Sequence, residues 1–341
     1  MNKSTNNNFS NINIHASAPG KLTLFGEHFV VYGNSAILAA INKRISVTLS
    51  PNKSNSINIK FGRRKLAARF SEIKSSKLIP RSQAFLYPVL NSIASAKEEL
   101  SGLSGLDVLI ESQIPHGEGL GSSAAACVAI VGALQSLVHK EGKANIFEAA
   151  SQTERLIHKN SSGADCYAST YGGVLLFGPN FGNKQISIKG KLQFLVCMTG
   201  IKHKTQNLVS KVKRMKDKNP SKFSELAERA NDICFKAKSA MITGDVYSLG
   251  NLLTENHKLL QKLQISHPRL EEYIEICMNS GALGCKLTGA GGGGAVIALL
   301  PNQNNSDTLL RIQNKIPNSM LAELDYKGVH LDQSLNSEKK F

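Results

Sequence analysis

Three glycine-rich segments, each with polar residues suited to chemistry, mark this 341-residue chain: PGKLTLFGEH (19–28), IPHGEGLGSSAA (114–125) and KLTGAGGGG (286–294). Backbone without side chains approaches a polyanion closely, and its free N–H groups then cradle phosphate oxygens. One such loop also serves ordinary turns. Three of them, with hydroxyls or charged residues where a nucleotide phosphate needs them, point to phosphoryl transfer.

The commoner nucleotide motifs do not fit. A Walker A loop needs glycine five residues before Gly20 and Ser or Thr after Lys21, where the chain has His15 and Leu22. Gly289, Gly291 and Gly294 match a GxGxxG pattern, but that fingerprint must open a helix, and here the loop runs straight into AVIALL. The HRD and DFG signatures of protein kinases are absent from the sequence. The phosphate chemistry must therefore rest on another scaffold.

The length favours two domains, and 41% hydrophobic with 19% charged residues describes an ordinary globular chain. A net charge of +16 raises the question of an anionic partner. Basic residues are densest at 60–77 and 202–218, without zinc-ligand spacing or aromatic interleaving, and the chain has no tryptophan. These stretches read as solvated lysine-rich faces, and no nucleic acid is expected. The six cysteines (Cys127, Cys166, Cys197, Cys234, Cys277, Cys285) form no CxxC pair, and several sit in apolar runs. Buried, reduced thiols in a cytoplasmic protein are expected. Residues 1–13 read as a polar, asparagine-rich tail without a secretory signal. The stretch 120–138 includes Ser122, Ser123, Gln135 and Ser136 among mainly small apolar residues, so it reads as a buried helix, with no membrane partner.

Several elements must position these segments. Residues 14–18, 22–25 and 28–32 read as extended, then 36–41 as a short apolar segment, with further β structure to about residue 70. A helix is expected from Ser82 to about Leu100, kinked near Pro88. LDVLIESQI reads as a strand into the second loop, and Ser122 or Ser123 as the cap of a helix through Val138. In 145–158 the pattern puts Ile146, Ala149, Ala150, Thr153, Leu156 and Ile157 on one helical face, with Glu154 at its polar border. The polar stretch 178–190 is the expected domain boundary. Beyond it come a strand, helices near 205–217, 221–242, 245–263 and 268–280, then strand, glycine loop, strand, helix (307–315) and a closing strand YKGVHL. The chain thus divides into a tail (1–13), a first domain (14–185), a second domain (186–332) and a polar tail (333–341).

PGK-x-x-x-x-GEH, P-x-G-x-GLGSSAA and KLTGAGGGG, in this order and spacing, resemble the three motifs of the GHMP kinases, the family of galactokinase and the homoserine, mevalonate and phosphomevalonate kinases. APGKLTLFGEHFVVYGN (18–34), LIHKNSSGAD (156–165) and ENHKLLQKLQISHPRL (255–270) are most similar to its mevalonate-phosphorylating branch. The resemblance covers about Ala18 to Val329. It implies an α+β, two-domain fold: a first domain like ribosomal protein S5 domain 2 and a ferredoxin-like α/β sandwich second. The activity it implies is ATP-dependent phosphorylation of the 5-hydroxyl of (R)-mevalonate in isoprenoid synthesis. Phosphomevalonate kinase or mevalonate 3-kinase is the nearest alternative, and a non-catalytic, basic nucleic-acid binder the distant one. Mg²⁺ accompanies ATP, and a homodimer is suggested.

The same resemblance assigns roles. Gly117, Gly119, Leu120, Gly121, Ser122, Ser123 and Ala124 wrap the ATP phosphates, an arrangement that a helix N-terminus favours; Gly289, Gly291 and Gly292 close against them. Glu154, eleven residues before Asp165, matches the metal-binding glutamate, with Ser122 or Ser123 as second ligand. Asp165 is the expected catalytic carboxylate with Lys21 beside it, a pair worth roughly 4 kcal/mol at ~4 Å and an effective dielectric near 20. Glu27, His28 and Thr205 line the substrate pocket with Lys21 and Asp165, supplemented by Lys202 and Lys204. His257 and His267 read as structural. Three positions depart from the family pattern: Glu118 replaces a small residue in the second loop, and Lys159 and Ser161 replace the usual Gly and Pro.

Overall fold

A computed structural model describes residues 12–69, 87–98, 100, 102–140, 142–157, 161–178, 183–202, 205–303 and 305–335. Its first half is a sheet of β1 (Ile12–Phe25), β2 (Ala36–Asn52), β3 (Ser56–Phe61), β4 (Arg64–Arg69) and β5 (Gly105–Ser112), with helix α1 (Tyr87–Ser95) before β5. Helices α2 (Ser122–Leu137), α3 (Lys143–Ile157) and α4 (Ala164–Tyr171) follow, then strands β6 (Val174–Phe177) and β7 (Lys184–Ile186). The second half runs β8 (Gln193–Met198), α5 (Thr205–Lys218), α6 (Pro220–Thr243), α7 (Val246–Lys262), α8 (Pro268–Asn279), β9 (Gly284–Thr288), β10 (Ala295–Leu299), α9 (Asn305–Lys315), β11 (Ser319–Glu323) and β12 (His330–Leu335).

The larger sheet has the order β12-β1-β2-β5-β3-β4, with β6 on β2 and β7 on β6. The smaller is antiparallel, β11-β8-β10-β9, with α7 and α8 packed against it. Mixed helices and sheets in two layered halves make this the expected α+β fold. Every residue of β1 from Ala16 to Phe25 is buried, because α2 and α4 pack on the strand while α6, α7 and β9 also touch it. Buried side chains from both sheets join in one contiguous core. The two halves are therefore packed together through β1, the strand that carries Lys21.

Several local expectations are corrected. The PGK segment is no loop: β1 passes through it with a bulge between Pro19 and Gly20, since Gly20 must lie against the Leu120 carbonyl, 2.9 Å from where a Cβ would stand. Residues Phe29–Tyr32 form a 3-10 turn instead of an extended segment. The apolar stretch 36–41 is the start of the 17-residue strand β2. Pro88 sits in the first turn of α1, where its missing N–H costs nothing, so no kink arises there; residues 82–86 lie outside the described ones. Helix α2 is capped by Gly121 in the left-handed region, and neither Ser122 nor Ser123 caps it. Strand β11 is an addition to the expected elements. The closing strand leaves the second half altogether: β12 pairs antiparallel with β1 across residues 330–335. Residues 333–335, assigned by sequence to the tail, thus complete the first sheet.

All six cysteines are buried and free, as expected. Among the described residues no helix is long and apolar enough to cross a membrane.

Candidate active site

Two buried residues of β1, Lys21 and Thr23, share one face of the strand, and a polar site grows from them. The backbone N–H of Lys21 donates to the Leu120 carbonyl at 2.9 Å, fastening β1 to the second glycine loop. The Lys21 ammonium lies 3.1 Å from Asp165 Oδ1 and donates to Thr23 Oγ1 at 3.0 Å. Lys21 is nearly enclosed, whereas the Asp165 side chain is 36% exposed at the first turn of α4. The carboxylate therefore faces the open side of the site, and the ammonium backs it.

Residues 117–124 lead into α2, whose first turn has no side-chain cap. Its N–H groups and the helix dipole face the loop, an arrangement that favours an anion. Gly119 meets Gly289 of the third loop: a Cβ on either would stand 3.4–3.7 Å from the Cα of the other. In the third loop Gly289, Gly291, Gly292, Gly293 and Gly294 all have positive φ, and Gly292 N–H donates to Ile265 O at 2.7 Å. The second and third glycine segments thus come together beside Lys21 and Asp165.

Gly121 has φ 73°, and a Cβ there would stand 2.8 Å from Lys21 Cγ and 3.2 Å from Cε. Gly121→Ala is therefore expected to displace the lysine and lower kcat by on the order of 10²-fold, as small misplacements do. Steady-state kinetics on the folded variant checks this; an unchanged kcat would show that Lys21 tolerates the shift.

Glu154 corrects the periodicity reading. It is 4% exposed, while Leu156, assigned to the buried stripe, is 67% exposed. Helix α3 turns its carboxylate inward, where Oε2 accepts from Ser161 Oγ at 2.7 Å and from Cys166 Sγ at 3.3 Å. Burial pushes the Glu154 carboxyl up from its ordinary pKa, and the nearby Asp165 charge adds to this. The two mutually repelling carboxylates, Glu154 and Asp165, offer hard oxygen donors and surplus negative charge. Donors of that kind suit a hard cation such as Mg²⁺. Ser161, at the position where the family pattern has proline, supplies a hydrogen bond that proline could not.

Glu27 is placed differently from the expectation of a pocket-lining substrate ligand. It is 4% exposed; one carboxylate oxygen pairs with Lys286 and the other accepts from Asn256 Nδ2 at 3.3 Å. His28, with φ 63°, donates from Nε2 to the Ala290 carbonyl at 2.9 Å, tying the GEH turn to the third loop. Burial lowers its pKa, so the ring is neutral at pH 7, with Nδ1 as its remaining polar atom. Thr205 begins α5 and is exposed; one turn on, Leu208 packs under Gly292. Lys202 is exposed, and Lys159 and Lys204 lie outside the described residues. His257 is buried against Glu271 at 3.1 Å, and His267 N-caps α8. Sequence reasoning missed Thr23, Lys286, Thr288, Asn256 and Cys166. Only Lys286 carried a signal: a lysine inside the otherwise apolar strand GCKL.

Glu118 has a buried Oε2 atom without a hydrogen-bond partner, and burial raises its pKa. As pH rises through that raised value the group ionises and adds negative charge to the loop before α2, whose helix N-terminus favours an anion. KM for ATP is expected to rise with pH just above the ordinary carboxylate range, and Glu118→Ser to lower KM and flatten that dependence. A pH series of KM for both proteins tests it, and identical profiles would refute it.

Residues 87–173 match the family model for the GHMP kinases N terminal domain, and 237–319 that for the GHMP kinases C terminal. The chain belongs to the GHMP kinase family. Its relatives include the mevalonate kinase of Pyrococcus abyssi, 36% identical over 330 residues that cover 93% of this chain and 97% of that protein. Among solved structures, L. major mevalonate kinase in complex with R-mevalonate is 29% identical with a TM-score of 0.79, over 91% of this chain and 95% of that one. The Methanococcus jannaschii mevalonate kinase gives 27% identity and a TM-score of 0.79, over 91% and 98%.

Proposed function

We propose that this protein is an ATP-dependent mevalonate kinase, transferring the γ-phosphoryl group to the 5-hydroxyl of (R)-mevalonate to give 5-phosphomevalonate and ADP for isoprenoid synthesis. The observation that carries the reading is the Lys21–Asp165 pair at 3.1 Å, set where two glycine loops converge, in a chain whose full-length relatives are mevalonate kinases.

The partly exposed Asp165 carboxylate accepts a hydrogen bond from the substrate hydroxyl and takes its proton as the new O–P bond forms. The bond from the γ-phosphorus to the bridging oxygen breaks, leaving ADP. Lys21 stabilises negative charge on the transferring group from its enclosed position. The N–H groups of 119–124 and the start of α2 hold the phosphates, and the third loop covers them. Mg²⁺, held by Glu154 with Ser122 or Ser123, neutralises phosphate charge when bound. The same reading carries a homodimer, taken from the family, and a cytoplasmic location, taken from the free, buried cysteines.

Release of ADP by the purified protein with ATP, Mg²⁺ and (R)-mevalonate, run beside 5-phosphomevalonate, homoserine and galactose, tests the substrate. Turnover confined to mevalonate is expected. Turnover confined to another substrate would keep the fold and remove the substrate assignment. Bound ATP without any turnover, together with salt-dependent binding of DNA or RNA, would favour the non-catalytic reading.

A further inference from the structure

Behind the Lys21–Asp165 pair lies a second lysine that phosphoryl transfer does not use. Lys286 of β9 is wholly buried, at 0% exposure. Its ammonium has three donors and three acceptors around it: the Glu27 carboxylate, the Leu287 carbonyl at 2.7 Å and the Thr23 carbonyl at 3.3 Å. Glu27 is held in turn by Asn256 of α7 at 3.3 Å. One ion pair thus joins the GEH turn and β1 of the first half to β9 and α7 of the second.

Burying two charges costs several kcal/mol per ion, and apolar residues of similar volume are often no less stable in their place. Stability alone therefore gives a weak account of this pair, and its geometry gives a stronger one. Thr23 is where its contacts meet the active site. The Thr23 carbonyl accepts from Lys286 and from Thr288 Oγ1 at 3.1 Å, and its N–H donates to Thr288 Oγ1 at 3.2 Å. Its own hydroxyl accepts from the Lys21 ammonium at 3.0 Å. The peptide of Thr23 is thereby pinned from the second half of the molecule, and its side chain aims Lys21 at Asp165.

We propose that Lys286 and Glu27 form a charged strut between the two halves that positions Lys21 for phosphoryl transfer, acting through Thr23. Lys286 is a positioning residue in this scheme and touches no reactant. The proposal rests on the kinase reading of the site. It also recasts Glu27 as part of the strut instead of a substrate ligand. Burial pulls the Lys286 pKa down while Glu27 opposes the shift, consistent with an ammonium retained in the interior only by its partner.

Three variants and two readouts test this. Lys286→Met leaves the Glu27 carboxylate buried without its partner and is expected to lower Tm markedly. Lys286→Met combined with Glu27→Gln removes both charges and should regain most of that Tm. Its kcat should nevertheless stay down by about tenfold or more, the scale of a small misplacement, with KM for ATP little changed. Thr288→Val, which leaves the ion pair intact but takes both its hydrogen bonds from the Thr23 peptide, should lower kcat with a smaller loss of Tm than Lys286→Met, and decides the matter if the double variant does not fold. The second readout needs no substrate: competitive acetylation by acetic anhydride, with Lys21 located by mass spectrometry. Loosening the strut should raise the acetylation rate of Lys21 in the double variant and in Thr288→Val.

Recovery of both Tm and kcat in the double variant, or normal kcat in Thr288→Val, would overturn the proposal. So would Lys21 acetylation rates equal to those of the unaltered protein. If the unaltered protein fails to phosphorylate mevalonate while Lys21 reactivity shifts as stated, the substrate reading falls and the strut stands.

Discussion

Asp165→Asn is expected to lower kcat by roughly 10²–10⁴-fold, the range lost with a general base, while ATP binding persists. The amide keeps the size of the side chain and can still accept a hydrogen bond, but it cannot take up the proton of the attacking hydroxyl. Because the Asp165 side chain is 36% exposed and sits in the first turn of α4, and Lys21 keeps Thr23 Oγ1 as an acceptor, the fold should be retained. The carboxylate also faces Lys21 at 3.1 Å, so asparagine would relax the lysine as well. Single-turnover kinetics with ATP binding measured by calorimetry separates these effects. A near-normal kcat with intact binding would remove Asp165 from the chemistry.

Lys21→Met is expected to lower kcat by about 10²-fold or more, the effect of losing one preorganised group that stabilises charge in the transition state. The lysine is 5% exposed, and its neighbours, Asp165 and Thr23, are both polar. Methionine fills similar volume without the ammonium, so the loss should fall on kcat more than on KM. Equal losses in kcat and kcat/KM would mark an interaction made in the transition state. A rise in KM alone would instead make Lys21 a binding residue.

How far the sequence reveals this site depends on how local each signal is. The run SSAAACVAIVGALQSL reads as a buried helix after a glycine loop because its composition and its spacing agree, and α2 matches within a residue at its C-terminal end. Lys21 and Asp165 lie far apart in the chain, and only their motifs, not any periodicity, suggest that they meet. The pattern puts Glu154 at a polar border because an apolar stripe usually faces the core; here the buried face of α3 serves the site, and Leu156 is left exposed. The pairing of β12 with β1 is decided by long-range packing that strand propensity does not encode. Lys286 stands inside a recognised motif, yet its burial follows from β9 packing against β1 and α7, contacts made across the whole chain.

The most direct test of the central claim is the proton-coupled ³¹P NMR spectrum of the product formed from ATP, Mg²⁺ and (R)-mevalonate. Phosphorylation at the 5-hydroxyl places phosphorus beside a CH₂ group, so its resonance should split into a triplet as ADP accumulates. A product resonance without that splitting would mean transfer to the tertiary 3-hydroxyl, and an absence of any new phosphate ester would mean that mevalonate is not the substrate. Either result would contradict phosphoryl transfer from ATP to the 5-hydroxyl of mevalonate at the Lys21–Asp165 pair.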